Sequence, residues 1–152
     1  AGRVIVVGRG ERLAKAAELG FETVDYATTD PVETVQGMTD GVGSDVALDC
    51  AGVPDSYRWA LAMLHKGGRC ASVGIPVEDV VLSLQDLVLY EKELVGVRAT
   101  AGGMRRAMPL VADGRIRVNE LHTHTFPLEE FRLAIDTFNE RRDGALKVIL
   151  EP

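Results

Sequence analysis

Arg3-Val4-Ile5-Val6-Val7-Gly8-Arg9-Gly10-Glu11-Arg12-Leu13 passes from an apolar run into glycines and arginines and then into a helical pattern. Val4, Ile5, Val6 and Val7 are all β-branched, which suits a parallel strand buried on both faces. Leu13, Ala14, Ala16, Ala17 and Leu19 then supply small and apolar helix formers, and Gly20 stands where a helix C-cap belongs. The unit reads as strand, turn and helix. Ligands of open α/β sheets collect at the carboxyl ends of the strands, so Gly8, Arg9 and Arg12 are the first candidates for contact with one.

Two ligand-binding readings of this turn stay open beside a purely structural one. Gly8-x-Gly10 opening a helix, with Asp25 after the next strand as a ribose acid, fits a phosphate-binding turn. Leu13, however, occupies the place of that fingerprint's third glycine, where a bulky side chain opposes close helix–strand packing. In the other reading the turn is the next one along, beside the adenosine ribose of a dinucleotide, and the glycine-rich fingerprint belongs upstream of Ala1.

The 152 residues, 46% of them hydrophobic, are enough for one domain with its own core, and one compact domain is the expectation. A net charge of -6 without any basic stripe argues against nucleic acid as the partner. No apolar run approaches the ~20 residues of a membrane span, and the start lacks a signal peptide's pattern, which together point to a soluble, cytoplasmic chain. Cys50 and Cys70 are the two cysteines, each at the edge of an apolar run; both read as buried free thiols.

Downstream, residues 22–26 form a second strand, and Asp30-Pro31 caps a helix that ends near Met38. Residues 45–52 are a third strand ending at a small-residue corner, residues 57–64 a helix closed by His65-Lys66-Gly67-Gly68, and residues 69–76 a fourth strand. Strict alternation of strand and helix predicts a parallel sheet with right-handed crossovers. Residues 80–84 and 93–99 read as two further apolar strands flanking a short helical turn, apolar enough to be buried against another surface such as a second subunit. A helix beginning at Gly102-Gly103 and stopping at Asp113-Gly114 contains Pro109, which should kink it or mark its start. Residues 121–127 alternate as a strand that puts His122 and His124 on one face, a pair able to bind metal only with a third ligand. A helix opening at residues 128–131 and a last strand over residues 145–150 follow. Lys147, alone in that apolar run, is either an edge-strand solubiliser or an anion contact.

The order and spacing of several segments resemble the C-terminal part of the zinc-type medium-chain alcohol dehydrogenases, the group of alcohol, sorbitol and threonine dehydrogenases. They are Val4-Ile5-Val6-Val7 with Glu11-Arg12-Leu13 and Glu18-Leu19-Gly20; Asp49-Cys50-Ala51-Gly52; Gly67-Gly68-Arg69 leading into Val73-Gly74; Glu93-Leu94-Val95-Gly96; Gly114-Arg115-Ile116; Thr123-His124-Thr125-Phe126-Pro127-Leu128; and Asp143-Gly144-Ala145-Leu146-Lys147-Val148.

The resemblance implies an α/β, Rossmann-type parallel sheet with helices on both faces, lacking its first strand and Gly-rich turn. Residues 1–152 would be a partial dinucleotide-binding domain plus the C-terminal return, with the GroES-like catalytic domain and its zinc ligands absent. Gly8 stands where NAD-preferring members often carry an aspartate. Its replacement, with Arg9 and Arg12 beside it, leans the coenzyme toward NADP rather than NAD. By position the resemblance puts Cys50 and Ala51 near the nicotinamide ribose, Gly74, Ile75 and Arg98 near the ring and carboxamide, and Lys147 near the pyrophosphate.

The parent would be a homo-oligomer, dimer or tetramer, moving hydride between nicotinamide and an alcohol or carbonyl substrate with Zn2+ in the missing domain. The isolated chain is expected to show no turnover. Two rivals are a non-catalytic oligomerisation module derived from a dehydrogenase and a zinc-free quinone reductase of the same superfamily.

Overall fold

The computed structural model describes residues 2–98 and 102–152. The chain divides into two compact units, residues 1–99 and 100–152. Every strand pairing in both is parallel.

In the first unit β1 (Ile5–Gly8), α1 (Gly10–Glu18), β2 (Glu22–Asp25), α2 (Pro31–Met38), β3 (Ser44–Asp49), α3 (Pro54–Ala62), β4 (Leu64–Ser72), α4 (Leu84–Leu89) and β5 (Glu93–Gly96) follow in order. β1 pairs with β2, and β3, β4 and β5 form a separate sheet in that order. The β1–β2 ladder is covered on both faces. Leu13 of α1 lies against the Gly8 face, while Ile5, Val7 and Val24 pack with Val35, Met63 and Trp59 on the other. α2 starts as its sequence requires, with Asp30 accepting from the Val32 and Glu33 amides at 2.9 Å each. Arg3, just before β1, pairs with Glu22 of β2, and Arg69 of β4 with Glu93 of β5, both at 2.6 Å and at exposed positions. Each arginine holds its carboxylate partner's pKa below the usual value, but such exposed pairs contribute little to stability.

The β3–β4–β5 sheet is covered on one face only. Ala60, Leu61, Leu64 and Cys70 make a small core there, with Ala47, Leu82 and Leu87 packed on it. On the opposite face Val46 and Leu48 of β3 are 56% and 66% exposed. A parallel sheet normally buries both faces. Among the described residues β3 pairs only with β4, so its other edge is open as well.

Several boundaries differ from the sequence reading. Residues 80–83 are not strand: the Ser83 hydroxyl accepts from the Asp86 amide at 3.2 Å and caps α4, and Leu82 alone of the run reaches the core cluster. A five-residue apolar run carries too little periodicity to separate these outcomes. Ala99 lies outside the described residues. The helix read over residues 57–64 starts and ends earlier, and His65 to Gly68 do not close it. They lie within β4, where the register slips from Ser44↔Leu64 to Val46↔Arg69. His65 instead faces Asp45 at 3.2 Å.

The second unit holds α5 (Gly103–Ala112), a 3-10 turn over Val118–Leu121, β6 (His124–Pro127), α6 (Phe131–Glu140) and β7 (Val148–Glu151), with β6 paired to β7. α5 runs through Pro109 without breaking. His122 falls outside β6, so the two histidines do not share a strand face; its Nε2 lies 3.1 Å from the His124 carbonyl and 2.8 Å from Thr125 Oγ1. Lys147 precedes β7, and its carbonyl accepts from the Thr123 and His124 amides at 3.1 and 3.3 Å. No helix of the described residues is long and apolar enough to cross a membrane.

Candidate functional site

The turns leaving β3 and β4 are welded together around Asp49. Its carboxylate accepts from the Gly52 amide at 3.1 Å, and its carbonyl accepts from the Val73 and Gly74 amides at 2.8 and 2.9 Å. The side chain is 3% exposed, and a carboxylate so placed depends on such donors to offset its lost hydration. The two glycines let the turns touch. A Cβ on Gly74 would lie 2.3 Å from the Gly52 nitrogen, and Gly52, at φ +69°, would drive one to 2.9 Å from the Ile75 nitrogen. Tyr57, in the first turns of α3, closes the arrangement from behind, its hydroxyl 2.7 Å from Ser72 Oγ and 2.6 Å from the Gly74 carbonyl.

Cys50, Ala51 and Ile75 are left on the outside of this junction, Ile75 being 82% exposed. The sequence expectation of two buried thiols therefore holds for Cys70, at 0% exposure, and fails for Cys50. Cys50 follows Val46 and Leu48 in the two-residue alternation of the strand and so falls on the face of the sheet that nothing covers. The Cys50 thiol pKa is raised, first by partial desolvation and then by the Asp49 charge, so it is a sluggish nucleophile.

At the end of β1, Gly8 is followed by Arg9, whose guanidinium carbon lies 5.6 Å from the centre of the Tyr26 ring. Tyr26 packs at 5.2 Å on Trp59 of α3, so the exposed Arg9 lies over a ring that is itself packed in place. Arg12 is exposed on the first turns of α1. α3 carries both Trp59 and Tyr57, and so backs the Arg9 region and the Gly52–Gly74 junction alike. Arg98 is exposed just beyond β5, and Lys147 is exposed in the second unit. Among the described residues no three His, Cys, Asp or Glu side chains come together as a metal site.

Residues 1–113 match the zinc-binding dehydrogenases. The chain belongs to that family. Among its curated relatives are an alcohol dehydrogenase of Cupriavidus necator, 27% identical over 98% of this chain and 42% of that protein, and the L-threonine 3-dehydrogenase of Bacillus subtilis strain 168, 31% identical over 100% and 45%. The chain thus spans less than half the length of the relatives it matches.

Solved dehydrogenase structures share the fold. The 2R,3R-butanediol dehydrogenase of Bacillus subtilis superposes with a TM-score of 0.90 at 25% identity, covering 100% of this chain and 44% of that one. A zinc-binding dehydrogenase of Sinorhizobium meliloti 1021 bound to NADP gives 0.88 at 28% identity, covering 100% and 46%. An Escherichia coli CFT073 alcohol dehydrogenase complexed with NADH gives 0.89 at 25%, covering 99% and 44%. The α/β architecture of parallel sheets and alternating helices is therefore that of the family's Rossmann-type domain.

Three side chains of this zinc-binding dehydrogenase domain escaped the sequence reading as site components. Asp49 is a lone acid at the end of an apolar strand, and that position was its only signal. Tyr26 and Tyr57 looked like ordinary aromatic residues of a strand and a helix, because what distinguishes them is a partner 17 residues away in each case: Arg9 for the first, Gly74 for the second.

Proposed function

We propose that residues 1–152 are the larger part of the coenzyme-binding domain, with the C-terminal return, of an NAD(P)-dependent, zinc-dependent alcohol or polyol dehydrogenase. The observation that carries the reading is the Gly52–Gly74 junction. Two strand-end turns of a Rossmann-type sheet are brought into backbone contact, and the exposed Cys50, Ala51 and Ile75 lie beside Gly74 there, all but Ile75 small. A planar ring and its ribose fit such a surface. Arg9 on its aromatic support, with Arg12 nearby and no carboxylate at position 8, suits a 2′-phosphate, and this favours NADP. Arg98 completes the proposed set at the carboxamide, and Lys147 of the second unit is proposed for the pyrophosphate on the resemblance alone.

Bound nicotinamide would supply the hydride acceptor or donor. The residues here bind and orient it. The open edge and bare face of the β3 sheet suit a further strand and layer contributed by residues outside this chain, and the zinc ligands belong there too. The substrate is then a small alcohol or its carbonyl.

Cys50 provides the test. Saturating NADP should slow alkylation of Cys50 in the full-length protein at least about tenfold, read by the mass of the peptide that carries it, because a ribose on the turn excludes the reagent. An unchanged rate at saturation would place the coenzyme elsewhere.

The protein is further proposed to act as a homo-oligomer through β5. All four β5 residues are exposed, Leu94 and Val95 among them are apolar, and Val97 just beyond the strand is exposed as well. An edge strand this apolar ordinarily pairs with another chain. Val95→Glu is expected to convert the oligomer to a smaller species in sedimentation velocity; an unaltered sedimentation coefficient would exclude β5 from the interface.

A further inference from the structure

The Tyr57 hydroxyl lies within hydrogen-bond distance of two oxygens and has one proton to give. The Gly74 carbonyl can only accept, so Tyr57 donates to it at 2.6 Å. Ser72, 2.7 Å away, must then donate its own proton to the Tyr57 oxygen. The result is a one-way chain from the Ser72 hydroxyl through Tyr57 to Gly74, its tyrosine 4% exposed and each member polarising the next. Gly74 is thus pinned at both ends, its N–H on the Asp49 carbonyl and its C=O on Tyr57.

A trans peptide points its C=O and the following N–H in opposite directions. With the Gly74 carbonyl turned toward α3, the Ile75 N–H is turned away from it. Because Gly74 has no side chain to restrict its rotation, the Tyr57 bond is what fixes this peptide plane.

We propose that Tyr57 is a positioning residue that sets the Gly74–Ile75 peptide for the nicotinamide end of the coenzyme, an inference that rests on the function proposed above. It touches no coenzyme atom itself. Its influence is local to the turn after β4, so the adenosine end, held by Arg9 and Arg12 after β1, is indifferent to it.

The test compares Tyr57→Phe with the wild type in the full-length protein, using two probes: NADP, and 2′-phospho-ADP-ribose, which has the same adenosine end and no nicotinamide. Phenylalanine keeps the ring in the core and removes only the hydroxyl. The expected result is a five- to tenfold weaker Kd for NADP, about what one buried hydroxyl bond is worth, with the Kd of 2′-phospho-ADP-ribose moved less than about twofold. Ser72→Ala, which leaves the Tyr57–Gly74 bond in place, should move NADP binding less than about threefold. Equal weakening of both probes by Tyr57→Phe would reduce Tyr57 to general packing and overturn the proposal, as would no weakening of either. A wild-type protein that prefers NAD is tested in the same way with NAD and ADP-ribose, and one that binds neither pair would overturn the proposed function itself, and the inference with it.

Discussion

Gly8→Asp is expected to turn the coenzyme preference from NADP to NAD, lowering NADP affinity about a hundredfold while leaving NAD binding unchanged or improved. The substitution is sterically permitted. A Cβ at position 8 meets Leu13 Cδ1 at 3.5 Å, ordinary contact distance, and the backbone there is not in the left-handed region. The new carboxylate would repel a 2′-phosphate, and like charges brought together at a binding site cost several kcal/mol. Toward NAD the same carboxylate can accept from both ribose hydroxyls.

Arg9→Ala is the complementary half of the experiment. It removes a charge-assisted contact worth about 2 kcal/mol, so NADP affinity should fall about thirtyfold with NAD little affected. Fluorescence titration of the reduced coenzymes measures both. Affinities for NADP and NAD that fall together in either variant would mean that the turn after β1 does not see the 2′ position.

That turn also shows how far the chain could be read without coordinates. The β-branched run before Gly8 and the apolar periodicity after Leu13 identify β1 and α1 because both signals are local. Asp30-Pro31 identifies the start of α2 for the same reason, since a cap and a preset φ act within one turn. Residues 80–84 were misread as strand although the Ser83 cap is as local as that of Asp30, because the apolar run before it is too short to show a period and the packing of Leu82 on the core is a long-range contact. His65 to Gly68 have the composition of a helix C-cap, yet pairing of β4 with β3 overrides it, with the Ser44 amide donating to the Met63 carbonyl at 2.8 Å. The glycines at 52 and 74 were visible as a small-residue corner and a strand end. That they touch each other, and that Asp49 and Tyr57 hold them, depends on contacts 22, 25 and 17 residues apart.

Gly74→Ala should be the most destabilising single methyl that can be added near the site. Its Cβ would sit 2.3 Å from the Gly52 nitrogen, 2.7 Å from the Gly52 Cα and 2.8 Å from an Asp49 carboxylate oxygen. Two of these are backbone atoms that cannot swing aside, so the turns must part. Parting them strains or breaks the Gly52 amide bond to Asp49 and the Gly74 amide bond to the Asp49 carbonyl, leaving a buried carboxylate short of donors. Overpacking of this kind and the lost bonds together are expected to cost about 3 kcal/mol, a fall in Tm of about 6–12 °C for a domain of this size.

Gly37→Ala supplies the control. It makes the same chemical change inside α2, where a Cβ meets nothing within 4 Å and no positive φ is required, so the variant should be up to about 1 kcal/mol more stable. Calorimetry of the two variants beside the wild type reads both signs. Should Gly74→Ala melt with the wild type, the turns after β3 and β4 would be free to separate, and neither Asp49 nor Tyr57 could be holding a rigid surface for a nicotinamide ring.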